Sequence, residues 1–138
     1  MALLVPDQAE ITMLSLVLKN TSTYVQRDQT LKLFKSNTTP GESDTEASYT
    51  VADFTGYSNI NITGTSWTIA TSAGTTTASY AQQTFSSSAD QSAQSIYGYY
   101  VIQQTDGFIL WAERFTNGPY VIANKGDQIK VTLKITLD

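Results

Sequence analysis

Residues 96–103, Ile96-Tyr97-Gly98-Tyr99-Tyr100-Val101-Ile102-Gln103, and residues 107–115, Gly107-Phe108-Ile109-Leu110-Trp111-Ala112-Glu113-Arg114-Phe115, flank the polar link Gln104-Thr105-Asp106. Aromatic and β-branched side chains fit a pleated, half-buried surface, so both runs read as strands. Asp106-Gly107 supplies the turn, because Gly takes positive φ freely and an Asp-Gly pair between two such runs marks a hairpin.

The same period of two governs the end of the chain. Ile129, Val131, Leu133, Ile135 and Leu137 alternate with Lys130, Thr132, Lys134 and Thr136. The alternation predicts one strand, buried on one face and wet on the other. Residues 31–35, 49–54, 66–71 and 75–85 are further strand candidates, and 119–123 is a short one. Ser72-Ala73-Gly74 and residues 124–127 read as turns. Residues 36–50 contain Pro40-Gly41 and three acids, and read as a long exposed loop. Residues 86–95 are small and polar, a loop or frayed edge.

Only the first segment departs from this pattern. Asp7 and Glu10 have a capping-box-like spacing, and Ile11, Leu14 and Leu18 share a helical face with Met13 and Val17 beside it. The spacing predicts a short helix over about residues 8–19; a strand over 13–18 is the competing reading. The expected fold is all-β: an antiparallel, jelly-roll-like β-sandwich of about eight strands with a short N-terminal helix. One domain is expected over 1–138, with 1–20 as an arm and helix.

Composition narrows the function. Charged residues make up only 14%, with a net charge of −4, and the eight Lys and Arg are scattered. That argues against nucleic-acid binding, which needs a basic patch or stripe. Residues 1–6 are apolar but short and lack a basic lead, unlike a secretory signal. No apolar run approaches the roughly 20 residues of a membrane span. Asn20-Thr21-Ser22, Asn37-Thr38-Thr39 and Asn61-Ile62-Thr63 match the glycosylation pattern, but read as chance in a Thr-rich chain. The chain has no Cys and no His. Disulfides, thiol nucleophiles, Ser-His-Asp triads and imidazole chemistry are thereby excluded.

Three constellations remain. Glu42, Asp44, Glu46 and Asp53 form the densest acidic group. They could hold calcium or form a glycosidase acid pair, but without an Asp-x-Asp-x-Asp-Gly pattern they read as a solvated loop. Glu113 and Arg114 are adjacent in a strand, so they face opposite sides and cannot share one site. One of them must point inward or into an interface, where it needs a partner. The aromatics Tyr97, Tyr99, Tyr100, Phe108 and Trp111, with Trp67 and Tyr80, either fill the core, anchor an interface or stack on sugars.

Several stretches carry a resemblance. They are residues 1–7 leading into the helix, Leu31-Lys32-Leu33-Phe34 with Asn37-Thr38-Thr39-Pro40, Asp53-Phe54-Thr55 with Gly56-Tyr57, residues 96–101, and Trp111-Ala112-Glu113-Arg114-Phe115. Together they resemble small virion structural proteins of tailed bacteriophages, among them capsid decoration (cement) proteins with a jelly-roll fold. The resemblance covers nearly the whole chain. It implies a non-enzymatic protein on the capsid surface, joining subunits of the major capsid protein, commonly as a homotrimer. It supplies no catalytic residue, cofactor or metal. The interface expected on this reading takes in Leu3, Leu4 and Val5 of the apolar arm with Tyr97, Tyr99, Tyr100, Trp111 and Arg114. A receptor- or glycan-binding jelly roll of the tail is the alternative. An enzyme is a more distant third, since only scattered Asp and Glu support it.

Overall fold

The computed structural model describes residues 5–19 and 28–137. They are mostly β, in antiparallel sheets, with one short helix near the N-terminus. The elements are α1 (Asp7–Leu18), β1 (Gln29–Phe34), β2 (Ile60–Ile62), β3 (Thr68–Ser72), β4 (Thr75–Ser79), β5 (Gln83–Ser86), β6 (Gln94–Ile96), β7 (Gly98–Gln103), β8 (Ile109–Arg114), β9 (Tyr120–Ile122), β10 (Gln128–Val131) and β11 (Lys134–Leu137). The chain divides into two compact units, each assembled from separate stretches of sequence.

The first unit takes in residues 1–28, 63–82 and 131–138. Its sheet has the order β11-β4-β3, and α1 lies against β3 and β4. Ala73 and Gly74 both take positive φ, 51° and 79°, which is the two-residue turn whose twist suits a hairpin. Thr71 and Thr76 face each other across that hairpin, their hydroxyls 2.8 Å apart. Helix α1 buries Leu14 and Leu18, as their spacing predicts, and also Glu10 and Ser15. Its N-cap is Pro6, not Asp7, and no side chain caps it: the Pro6 carbonyl accepts the amides of Ala9 and Glu10. Met13, Leu16 and Val17 remain exposed on α1, at the i, i+3, i+4 spacing of one stripe. Trp67 is buried and meets Tyr80 edge-on, with ring centroids 5.2 Å apart.

The second unit takes in residues 29–62 and 83–130. Its main sheet has the order β2-β1-β7-β8, and the two-stranded pairs β6–β9 and β5–β10 accompany it. The β7–β8 hairpin is the one that the sequence predicts, with Gly107 at φ 69°. Register shifts between Val101 and Ile102, so Leu110 has no partner and β8 carries a bulge. On one face, Phe34, Tyr100 and Ile102 pack with Tyr49 from the preceding loop. The Tyr49 ring sits 4.9 Å from that of Phe34 and stacks at 5.1 Å on Tyr100.

Five expectations need correction. Residues 96–103 are not one strand: Ile96 ends β6, which pairs with β9, and β7 begins at Gly98. Residues 49–54 are not a strand: Val51 makes an isolated bridge to Phe34, with bonds from Lys35 N to Thr50 O and from Ala52 N to Leu33 O. That segment shares one edge of β1 with β2, which takes Gln29 to Leu31. The Tyr57 hydroxyl fills the gap between them and accepts the Leu33 amide at 3.0 Å. Residues 75–85 divide into β4 and β5, which join different sheets. The C-terminal alternation breaks at Thr132-Leu133 into β10 and β11, also in different sheets. Eleven strands result among the described residues instead of about eight, three of them only three residues long.

Candidate functional site

The expected site residues of the second unit all lie on or beside the β7–β8 hairpin, but on two faces. Tyr99 opposes Glu113 and donates its hydroxyl hydrogen bond to the Glu113 carboxylate at 2.5 Å. The Trp111 indole N–H in turn bonds the Tyr99 hydroxyl. Burial first, and then the Glu113 carboxylate, hold the Tyr99 phenol well above its ordinary pKa. Arg114, on the opposite face, stands 4.9 Å over the Tyr97 ring. It donates to Thr38 O at 3.0 Å and to Asn37 Oδ1 at 2.7 Å. Glu113 and Arg114 therefore serve separate networks, as their adjacency in a strand requires.

Tyr99 and Tyr100 are buried in this unit and present little surface. Trp111 and Tyr97 are half-buried, and so is Val5, in the segment ahead of α1. Leu3 and Leu4 lie outside the described residues. Phe108 is 67% exposed at the hairpin tip.

The acidic group does not converge. Glu46 pairs with Lys32 and accepts a long bond of 3.4 Å from the Tyr100 hydroxyl. Asp53 pairs with Lys35 at 2.6 Å and is clamped by Gln94, whose amide nitrogen donates to it while its carbonyl accepts the Asp53 backbone N–H. Asp44 accepts the Gly41 amide at 2.8 Å and the Tyr49 hydroxyl at 2.6 Å. Among the described residues no three acids form a group that could hold a metal ion. The loop 36–50 is thus less open than expected, because Tyr49 is buried and Glu46 is tied to the sheet.

Residues 86–95, which have no apolar period, turn out to fasten loops. Gln91 accepts the Thr55 amide at 2.7 Å and Asp90 the Lys125 amide at 2.8 Å. Side-chain amides and carboxylates that bond backbone leave no hydrophobic signature, so sequence pattern alone misses them. Asp127 does the same at its turn, accepting the amides of Ala123 and Asn124.

These contacts predict an acid dependence. The Tyr49 hydroxyl and then the Gly41 amide lower the pKa of Asp44 from the ordinary 3.8. Lys35 and then Gln94 do so for Asp53, and the Ala123 and Asn124 amides for Asp127. Each carboxylate binds protons less readily folded than unfolded, so its contribution is complete above the unfolded value and declines as pH falls through the folded one. The melting temperature should therefore hold from neutral pH to about 4 and fall below that. Scanning calorimetry across that range tests this, and Asp127→Asn should flatten part of the slope. An acid limb unchanged in all three Asp→Asn variants would remove these residues as its source.

Beside the hairpin, a groove of about 430 Å³ runs between the loop and the edge of the sheet. Residues 40–42, Asp44 and Tyr49 form one wall and residues 109–112 of β8 the other. Of the expected site residues, Trp111 lines it. A second groove, of about 490 Å³, is lined by Phe115, Tyr120 and residues 128–130. Phe115 and Tyr120 meet edge-on there, 5.2 Å between centroids. No family model matches the chain, and neither a curated protein nor a solved structure matches it.

Proposed function

We propose that the chain is a non-enzymatic structural protein of a tailed-phage virion, a capsid decoration protein that bridges subunits of the major capsid protein. On this reading the antiparallel sheets belong to a jelly-roll-like sandwich, and the working form is a homotrimer on the capsid surface. The observation that carries an assembly role is the exposed apolar surface. Met13, Leu16 and Val17 form a stripe on α1, and Phe108, Tyr120 and Val121 are also open, at 44–67% exposure. An apolar stripe such as that on α1 favours a partner's surface over water. Asp44, Glu46 and Asp53 support the same reading, since each is engaged in holding the fold rather than free for catalysis. A decoration protein stabilises a shell by binding the assembled form in preference to its parts.

Sedimentation of the full chain should give three times the chain mass. The protein should also bind saturably to expanded capsids lacking it and raise their resistance to heat. A monomer at high concentration that leaves such capsids unaltered would sink the proposal. Glycan binding in the tail is the second reading, favoured by the half-buried Trp111 beside the acidic groove; Trp67 is too deeply buried to serve. A glycan array with no hits would dismiss it.

A further inference from the structure

We infer that an extended, basic segment of a partner protein pairs with β8 as an added strand and seats its cationic side chains against Glu42 and Asp44. The inference rests on the groove alone and stands whether or not the chain belongs to a virion.

β8 is the last strand of its sheet. The Phe115 amide bonds Tyr97 O, and the antiparallel ladder alternates, so Glu113 and Trp111 direct their backbone groups toward β7. Ala112 and Arg114 direct theirs away. Among the described residues no backbone group bonds them from outside. Their outward donors and acceptors, Ala112 in the groove and Arg114 just beyond it, are the groups that strand addition uses, and the bulge at Leu110 ends the alternation. Such edges are ordinarily blunted, and here Arg114 reaching to Thr38 and Asn37 ties down only one end.

The loop stands away from the rest of the edge and leaves the groove. Four β8 residues line it, a length of about 13 Å at 3.3 Å per residue, room for a short extended segment. Its lining holds two acidic residues, Glu42 and Asp44, and no Lys or Arg. Glu42 is exposed, while Asp44 is held in place by Gly41 and Tyr49. An added strand presents alternate side chains to one face, so basic residues two apart would both meet this acidic wall. The net charge of −4 would steer such a segment inward. A sugar could use the acids and Trp111, but would not pair with the outward backbone groups of both Ala112 and Arg114.

The test uses the full chain and three capped peptides: Val-Lys-Val-Lys-Val, its Glu-for-Lys counterpart, and the Lys peptide with alternate amides N-methylated. Calorimetry reads affinity, and the amide resonances of Ala112 and Arg114 read position. The Lys peptide should bind and shift both amides, and the Glu peptide should bind about tenfold more weakly or worse. Glu42→Gln, which touches no structural contact, should weaken the Lys peptide about threefold. N-methylation should abolish binding, and so should Ala112→Pro, which removes an outward donor on an edge strand where proline is tolerated. If Ala112→Pro does not fold, the N-methylated peptide decides. Equal binding of the Lys and Glu peptides, unaltered binding after N-methylation, or shifts confined to other strands would overturn the inference. Self-association that Ala112→Pro abolishes, without peptide binding, would give the edge to a second copy and overturn it also.

Discussion

A Gly98→Ala variant should lose about 3 kcal/mol of stability, the upper end of the usual cost of overpacking a dense interior. A Cβ at position 98 would lie 2.2 Å from the Glu113 carbonyl oxygen and 2.5 Å from Cζ of Phe34. Neither neighbour can yield cheaply. The carbonyl belongs to β8, directly across from β7, and β7 is paired on its other side with β1. Phe34 is fully buried beneath Tyr49. Denaturant titration should show a lower midpoint with the slope unchanged. Gly107→Ala provides the contrast. That glycine has φ 69°, and a methyl group there would meet no atom within 4 Å, so only the left-handed backbone penalty of about 1–2 kcal/mol applies. Equal losses in the two variants would mean that close packing is not what position 98 requires.

The second large effect is expected at Trp67. Trp67→Ala should cost about 3–5 kcal/mol, the usual range for deleting a buried large aromatic, because the surroundings close only partly over the cavity. Trp67 is 2% exposed and packs edge-on against Tyr80, whose hydroxyl accepts the Thr63 amide at 3.0 Å. Losing the indole therefore also loosens the ring that holds this backbone group. Trp67→Phe should cost clearly less, since it keeps an aromatic edge for Tyr80 to meet. Thermal or denaturant unfolding followed by circular dichroism checks both. A Trp67→Ala loss below about 1 kcal/mol would show that the site collapses or rehydrates without penalty. Together the two glycine variants and the two Trp67 variants separate overpacking from cavity formation, the two ways of disturbing a close-packed interior.

The strongest sequence signals survived folding because they are local. The β7–β8 hairpin, residues 98–114, has its Asp-Gly turn and its aromatic and β-branched runs within the stretch itself, and α1 has Leu14 and Leu18 one helical turn apart. Signals failed where the partner strand decides. Alternation from Ile129 to Leu137 says which side chains turn inward, but not with which strand the backbone pairs. β10 joins β5 while β11 joins β4, and the chain must break at Thr132-Leu133 to do both. Residues 60–62 lie in a Ser-, Asn- and Thr-rich stretch too short for any period, yet they form β2 because β1 offers them an edge.

The candidate site divides in the same way. The amino-acid sequence by itself determined the β character, the absence of thiol and imidazole chemistry, and the opposite facing of Glu113 and Arg114, since each follows from residue identity or the period of a strand. Only the tertiary structure decided that Tyr99 and Tyr100 are turned into the fold, that Asp44, Glu46 and Asp53 are spent on separate contacts, and that Glu42 and Asp44 stand beside an open strand edge. Those facts depend on which distant segments meet. Residues 40–44 and 109–112 are more than sixty positions apart, and no local pattern encodes their approach.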